Sequence, residues 1–169
     1  LQTISYYFNG TTAVSTNIPQ SGTPMMFAMV MDKDNHVANF TVIAGFGSTP
    51  YLQFTTDGSA LYGKIYTGSA AHSVSFGNVT SLPTGAHVYW IYMDGAGSPT
   101  MYVGRDQNDV GNIGSPSSSG QTFGKGLQIG NTSGMLAKIG LVEVVSRAGM
   151  TLADAKAIVA KMQAHHGIA

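Results

Sequence analysis

The stretch Ala137-Lys-Ile-Gly-Leu-Val-Glu-Val-Val145, followed by Ser146-Arg-Ala-Gly-Met150 and then Thr151-Leu-Ala-Asp154, decides the fold of this chain. Its first part is rich in apolar and β-branched residues, which favours a strand. The Ser146–Met150 part contains glycine and breaks that strand. Thr151 and Asp154 have the spacing of a capping box, with Asp in place of the usual Glu, so a helix is predicted to begin here.

The residues after this capping box predict one short helix that closes the chain. Apolar side chains recur at helical spacing on one face: Leu152, Ala155, Ile158, Val159 and Met162. Gly167 lies where a C-terminal cap is expected. We therefore predict a helix over about 151–164, packed against an edge or flank of the rest of the protein.

Before this helix, apolar and β-branched segments alternate with turn signals from about residue 4 to residue 145. In Met25–Met31 both alternating rows are apolar, which predicts a strand buried on both faces. His87–Met93 is the most aromatic strand and places Val88, Trp90 and Tyr92 on one face. These features predict an all-β protein with a single closing helix.

Two connections in this strand-rich region are informative. Asp57-Gly58 separates Tyr51–Thr55 from Leu61–Tyr66 and predicts a β-hairpin. The segment from Arg105 to about Gly126 is the longest one without a strand pattern, so it is predicted to be a loop, and loops of this length are often functional.

Length and charge exclude several classes of function. The 169 residues are expected to form one domain over 1–169. Eight basic and eight acidic side chains balance, so no net field favours nucleic acid or an anionic membrane as partner. The absence of cysteine excludes disulfides and thiolate metal sites.

The order of these motifs resembles the concanavalin A-like lectin/glucanase superfamily, especially its laminin G-like and pentraxin-like members. The motifs that carry the resemblance are Phe8-Asn9-Gly10, His87-Val88, Asp94-Gly95, Tyr102-Val103-Gly104, Ile129-Gly130 and Ser146-Arg147-Ala148. The ending Gln163-Ala-His-His-Gly-Ile168 is also similar to such domains in bacteriophage structural proteins. The resemblance implies a concanavalin A-like jelly-roll β-sandwich with one short C-terminal helix.

The acidic residues argue against an enzyme, although the superfamily includes glycoside hydrolases. A glycosidase normally needs two carboxylates that face each other across the scissile bond. Glu143 is the only glutamate, and the closely spaced Glu and Asp of the glucanase branch have no counterpart here. We therefore predict that the protein is not an enzyme.

Candidate metal ligands lie at the start of the predicted loop. Asp106 and Asp109 offer the carboxylate oxygens that Ca²⁺ prefers, and several members of the superfamily hold Ca²⁺ at a loop edge. Asp and Asn are also common in turns for backbone reasons alone, which explains the same residues without a metal. Calcium is thus one of two interpretations of this segment.

Sugar binding would require exposed aromatic rings together with amides or carboxylates. Tyr51, Tyr62 and Tyr66 flank turns and are the predicted ligand-binding aromatics, with Asn108 as a polar partner. Trp90 is expected in the core, because large aromatic side chains dominate protein interiors.

These observations predict a non-catalytic recognition module. It would bind a glycan or another cell-surface ligand as part of a phage or bacterial surface protein, located on a virion, outside the cell or on its surface. The alternative is a purely structural virion decoration or oligomerisation domain with no small ligand. In that case the partners are other virion or surface protein subunits, including copies of the same chain.

Overall fold

The computed structural model describes residues 6–9, 12–16, 21–22, 24–33, 41–46, 51–67, 70–114, 122–123, 127–131 and 136–169. The serine-rich part of the predicted long loop, at 115–120, lies outside the described residues. So does the beginning of the strand predicted before Phe46, at 37–40. The single-domain prediction for 1–169 stays a prediction.

The described residues form two six-stranded antiparallel sheets. The first sheet has the order β1-β14-β4-β9-β10-β11. Its strands are β1 Tyr6–Asn9, β4 Met25–Lys33, β9 Ala86–Met93, β10 Thr100–Arg105, β11 Asn108–Gly114 and β14 Leu136–Ser146. The second sheet has the order β2-β13-β5-β6-β7-β8. Its strands are β2 Thr12–Thr16, β5 Thr41–Phe46, β6 Tyr51–Thr56, β7 Ala60–Tyr66, β8 Ala71–Asn78 and β13 Leu127–Asn131.

A two-stranded pairing and two helices complete the described structure. Strands β3 Ser21–Gly22 and β12 Thr122–Phe123 pair with each other. A 3-10 helix covers Val79–Ser81, and one α-helix, α1, covers Leu152–His166. No helix in the described part of the chain is long and apolar enough to cross a membrane.

Strand β4 is buried on both faces, as its two apolar rows predict. Met25, Phe27 and Met29 point between the sheets, while Met26 and Ala28 point to the opposite side. All of them are fully buried. The β-sandwich with a closing helix is therefore confirmed.

Aromatic contacts across the sandwich join the two sheets. Phe27 of the first sheet and Phe54 of the second have ring centroids 5.0 Å apart, and Phe76 meets Tyr89 edge-on at 5.1 Å. Burial raises the pKa of Tyr89 to about 12, so its phenol is neutral at physiological pH. The space between the sheets is thus a packed core and leaves no ligand channel among these residues.

Helix α1 covers the outer face of the first sheet. Ala155, Val159 and Met162 pack against a cluster that includes Trp90 and Tyr92. The Tyr92 hydroxyl donates a hydrogen bond of 2.6 Å to the Met150 carbonyl, which fixes the turn before the helix. The helix lies over the central strands β4 and β9 rather than at an edge, because the aromatic row of β9 faces it.

Both ends of this helix follow the sequence prediction. The Thr151 hydroxyl accepts from the Asp154 N–H at 3.2 Å, and the Asp154 carboxylate accepts from the Thr151 N–H at 2.9 Å. Gly167 has a φ of 65°, the left-handed conformation expected of a C-terminal cap. The capping box is therefore confirmed.

The predicted long loop from Arg105 to Gly126 is wrong in part. Asn108–Gly114 forms strand β11, which pairs with β10 across a two-residue turn, and Thr122–Phe123 forms β12. The prediction failed because β11 is rich in glycine and asparagine and has no clear alternation of apolar residues. Pairing with β10 stabilises this strand, although its own residues have a low propensity for strands.

Candidate functional site

The outer face of the second sheet carries two of the three predicted tyrosines, Tyr62 and Tyr66. Along β7, Leu61 and Ile65 point into the core, so the alternate residues Tyr62, Lys64 and Tyr66 lie on the opposite face. Across β6, Tyr51 pairs directly with Tyr66. No described helix or strand covers this face, in contrast to the outer face of the first sheet.

A groove on this face has a volume of about 290 Å³. We call it the tyrosine groove, and it is lined by Thr55, Thr56, Asp57, Tyr62, Lys64, Ala71 and Ser73. Its volume is at the lower end of the range of about 300 to 1,000 Å³ that is typical of small-molecule sites. An aromatic ring, hydroxyl groups and one charge of each sign therefore converge in a space suited to a small part of a ligand.

The β6–β7 hairpin holds Tyr62 in place. One oxygen of the Asp57 carboxylate accepts from the Ser59 N–H at 2.8 Å and the Ala60 N–H at 2.9 Å. The other accepts from the Tyr62 hydroxyl at 2.9 Å. The hairpin that the Asp57-Gly58 pair predicts is thus confirmed, and its aspartate fixes the edge of the tyrosine ring.

These bonds also set the ionisation of both partners. The backbone N–H groups of Ala60 and Ser59, and then the Tyr62 hydroxyl, lower the pKa of Asp57 below its ordinary value. The same carboxylate raises the pKa of Tyr62. Asp57 is therefore an anion and Tyr62 a neutral donor at any pH near neutrality.

The lowered pKa of Asp57 predicts a pH dependence of stability. Because the pKa is lower in the folded chain, the stabilisation is present above the unfolded value near 3.8 and is lost as pH falls through the folded value. We expect Asp57→Asn to lose less stability than the wild type between pH 5 and pH 2, measured as the change in thermal midpoint. If the thermal midpoints of the two proteins fall by the same amount between pH 5 and pH 2, the result contradicts this assignment.

A second groove, with a volume of about 430 Å³, lies between the β10–β11 turn and helix α1. We call it the turn groove, and it is lined by Asp106, Gln107, Asn108, Ala160, Gln163, Ala164, Ile168 and Ala169. The Gln107 amide donates to the Gln163 side-chain oxygen at 2.8 Å, which ties the turn to the helix. Within the described residues, no aromatic ring lines this groove.

Asp106 is the structural centre of that turn. Its φ of 54° is the only positive value among the described residues other than glycine. Its carboxylate accepts from the Val88 N–H at 3.0 Å and lies 2.7 Å from His87 Nδ1. Its backbone carbonyl accepts from the Trp90 indole N–H at 2.9 Å. Asp106 therefore joins β9 to the turn between β10 and β11.

The two predicted calcium ligands both have partners within the protein. Asp109 forms an ion pair of 2.8 Å with Lys156 of helix α1, and Asp106 is engaged as described above. The described residues contain no group of three or more His, Asp or Glu side chains placed to hold a metal ion. Calcium binding stays a prediction, and the contacts of Asp106 and Asp109 give it no support.

The structure thus divides the predicted site residues into two sets. The β6–β7 pair carries Tyr62 and Tyr66 on the outer face of the second sheet, and Tyr51 of β6 pairs with Tyr66. Asp106, Asn108 and Asp109 lie beside helix α1, on the other side of the sandwich. The side chain of Tyr51 is outside the described part of the structure.

Sequence analysis missed Asp57, Lys64 and Ser73 as members of the groove. The first two could have been found, because Tyr62, Lys64 and Tyr66 alternate along one predicted strand and Asp57 begins the adjacent hairpin turn. Ser73 could not, since only the pairing of β7 with β8 places it opposite Lys64.

Comparison with solved structures identifies the fold. Domains LG4-5 of the mouse laminin alpha1 chain are 9% identical and superimpose with a TM-score of 0.60, over 83% of this chain and 40% of that one. A native heptameric SAP-like pentraxin from Limulus polyphemus is 11% identical with a TM-score of 0.66, over 90% of this chain and 80% of that one. The botulinum neurotoxin serotype G binding domain is 10% identical with a TM-score of 0.68, over 94% of this chain and 43% of that one.

The chain therefore has the jelly-roll fold of laminin G-like and pentraxin-like domains, as the sequence resemblance predicts. It spans less than half the length of the laminin and neurotoxin structures. No protein-family model and no curated protein sequence matches the chain. At these identities the likeness defines the fold, and function has to be argued from the site.

Proposed function

We propose that this domain is a non-catalytic recognition module that binds a glycan through the tyrosine groove, as part of a phage or bacterial surface protein. The observation that carries the proposal is the Tyr62 ring, held by Asp57 at the edge of an uncovered groove that Lys64 and Ser73 also line. An aromatic ring supplies apolar contact for the face of a sugar, and the polar side chains suit its polar edge.

Preorganisation strengthens this proposal. A binding side chain that is already fixed loses little conformational freedom when the ligand binds. Tyr62 has this property because its hydroxyl is hydrogen-bonded at 2.9 Å to a carboxylate that two backbone N–H groups hold in turn. The groove therefore has the character of a binding surface already formed without its ligand.

The composition of the groove also argues against hydrolysis. Asp57 is the only carboxylate that lines the groove among the described residues, and its oxygens already accept three hydrogen bonds. A glycosidase uses two carboxyl groups, one of which delivers a proton to the leaving oxygen. An aspartate whose pKa is lowered is poorly suited to that role.

Solved structures of similar fold that have a recognition role also support this proposal. Structures similar to this one include the binding domain of botulinum neurotoxin DC in complex with SialylT. They also include the receptor binding domain of the mosaic serotype C/D. We infer an extracellular, cell-surface or virion location, with a cell-surface glycan as the partner.

A glycan array probed with this domain tests the proposal. We expect binding to a defined glycan that Tyr62→Ala weakens at least about tenfold, because a central aromatic anchor is typically worth more than 1 kcal/mol. Tyr62→Phe keeps the ring and is expected to weaken binding only a few-fold. Circular dichroism should show that both variants are folded.

Asn108→Ala is the matched control, since Asn108 lines the turn groove and not the tyrosine groove. We expect it to bind as the wild type does, and we expect EDTA to leave binding unchanged. Loss of binding in Asn108→Ala or in EDTA, with Tyr62→Ala unaffected, would instead place the ligand at the β10–β11 turn. Absence of binding to every glycan by the folded protein in its native assembly would favour the structural alternative.

A further inference from the structure

Lys64 occupies the middle of the proposed glycan site. It lies on β7 between the outward residues Tyr62 and Tyr66, opposite Gln53 of β6 and Ser73 of β8. Its side chain is partly buried and lines the tyrosine groove. A cation is therefore placed among an aromatic ring, an amide and hydroxyl groups.

This cation has no acidic partner among the described residues. Two other basic side chains do have one: Arg147 pairs with Asp154 at 3.1 Å and Lys156 pairs with Asp109 at 2.8 Å, whereas Arg105 and Lys161 have none within the described residues. No such ion pair joins Lys64 to a described carboxylate. The ammonium group of Lys64 thus keeps its charge available for a ligand.

Asp57 is the other charged residue that lines the groove, and its carboxylate oxygens already accept hydrogen bonds within the protein. Three donors within the hairpin, the Ser59 and Ala60 N–H groups and the Tyr62 hydroxyl, surround its two oxygens. Hydrogen bonds of this kind hold negative charge in place and reduce its demand for a further cation. The groove therefore presents an internally satisfied anion at one end and an unmatched cation in the middle.

The low charge of the rest of the chain indicates what kind of ligand the Lys64 ammonium group would suit. Only 9% of the residues are charged, and the formal net charge is zero. A single lysine cannot follow the backbone of a nucleic acid, which requires a row of cations. It suits one anionic group on an otherwise neutral, hydroxyl-rich ligand.

From this placement we propose that the ligand of the tyrosine groove is an acidic glycan, whose carboxylate or sulfate group is bound by Lys64. The inference rests on the proposed glycan-binding function and specifies its ligand class. The Tyr62 ring would contact the sugar, while Gln53 and Ser73 would bond its hydroxyls. The lysine ammonium would donate charge-assisted hydrogen bonds to the acid group.

The test compares matched sugars with matched variants. Disaccharides based on galactose, glucose and N-acetylglucosamine are each immobilised as the neutral, the carboxylate-bearing and the sulfated form. Dissociation constants are measured for the wild type, Lys64→Gln and Lys64→Arg at low and at 0.5 M salt. The carboxylate and sulfate arms distinguish the two sources of the acid group.

We expect the wild type to prefer at least one acidic form over its neutral parent by about tenfold to a hundredfold, as is usual for hydrogen bonds to a charged group. Lys64→Gln should lose that preference, because its affinity falls much more for the acidic form than for the neutral sugar. Lys64→Arg should retain much of the preference, because the charge remains. High salt should reduce the preference of the wild type and leave Lys64→Gln unchanged.

Two other results would overturn the inference in different ways. Equal affinity of the wild type for neutral and acidic forms, or an equal loss for both in Lys64→Gln, would remove the acidic glycan but keep glycan binding. Failure of the folded wild type to bind any sugar would overturn the proposed function as well.

Discussion

Replacement of Gly104 by alanine is expected to destabilise the protein by about 3 kcal/mol or more, near or above the upper end of typical overpacking costs. A β-carbon at this position would overlap the Trp90 ring carbons Cζ2 and Cε2 and lie 2.7 Å from the Asn108 carbonyl oxygen. Gly104 pairs with Trp90 across β10 and β9, so the indole lies directly over the glycine. The ring can move little, because it is fully buried and its N–H is bonded to the Asp106 carbonyl.

The measurement is urea denaturation followed by tryptophan fluorescence. Trp90 is the only tryptophan, so the signal reports directly on the packing between β9, β10 and helix α1. Gly97→Ala is the control, since a β-carbon there would meet no atom within 4 Å. A free energy of unfolding for Gly104→Ala within about 0.5 kcal/mol of this control, the usual range for a neutral surface change, would contradict the packing described here.

The second large effect is expected for Asp106→Ala, at about 2 to 4 kcal/mol. Alanine at the φ of 54° has a conformational cost of about 1 to 2 kcal/mol. Loss of the carboxylate also leaves the partly buried Val88 N–H and His87 without their acceptor, which costs about 1 to 3 kcal/mol. Asp106→Asn should be milder, because asparagine tolerates this conformation and retains one acceptor oxygen.

Asp109→Ala is the matched control for this prediction. Its carboxylate is about half exposed, at 52%, and its ion pair with Lys156 is of the surface type, worth about 0 to 1 kcal/mol. Chemical denaturation of the three variants at pH 7 distinguishes the roles. If Asp106→Ala and Asp109→Ala unfold at the same denaturant concentration, Asp106 is not the structural residue inferred here.

These stability effects distinguish the turn groove from the tyrosine groove. The contacts of Asp106, Gln107 and Asp109 connect the β10–β11 turn to β9 or to helix α1. The two carboxylates that sequence analysis assigned to calcium therefore have partners within the protein. In the tyrosine groove, by contrast, the internal bonds of Asp57 orient Tyr62 and leave Lys64 available. A ligand is therefore expected to protect the β6–β7 hairpin from hydrogen exchange more than the β10–β11 turn.

Local patterns in the sequence were sufficient for most of the architecture. Two apolar rows in Met25–Met31 require burial on both faces, and the structure places this strand between the core and helix α1. Asp57-Gly58 specifies the hairpin, and Thr151 with Asp154 specifies the start of the helix. These features depend on residues only a few positions apart, for which turn chemistry and side-chain periodicity are reliable guides.

In the candidate site, local sequence patterns predicted some residues but not the partners that are distant in sequence. Tyr62 and Lys64 could be recognised because β6 and β7 are consecutive strands, and so their outward residues share one face. The partners of the predicted metal ligands could not be recognised, since they are distant in sequence. Val88 is 18 residues from Asp106, and Lys156 is 47 residues from Asp109.

The sequence by itself therefore determined most of the elements and their buried faces, because hydrophobic periodicity and capping act over a few residues. The class of β-sandwich followed from the resemblance of its motif order to a known superfamily. The tertiary structure alone decided which polar side chains are satisfied within the protein and which remain open to a ligand. The physical reason is that a carboxylate or ammonium group takes its partner from whichever strand or helix the fold brings beside it. For Asp106 and Asp109 that partner is internal, whereas Lys64 has none among the described residues.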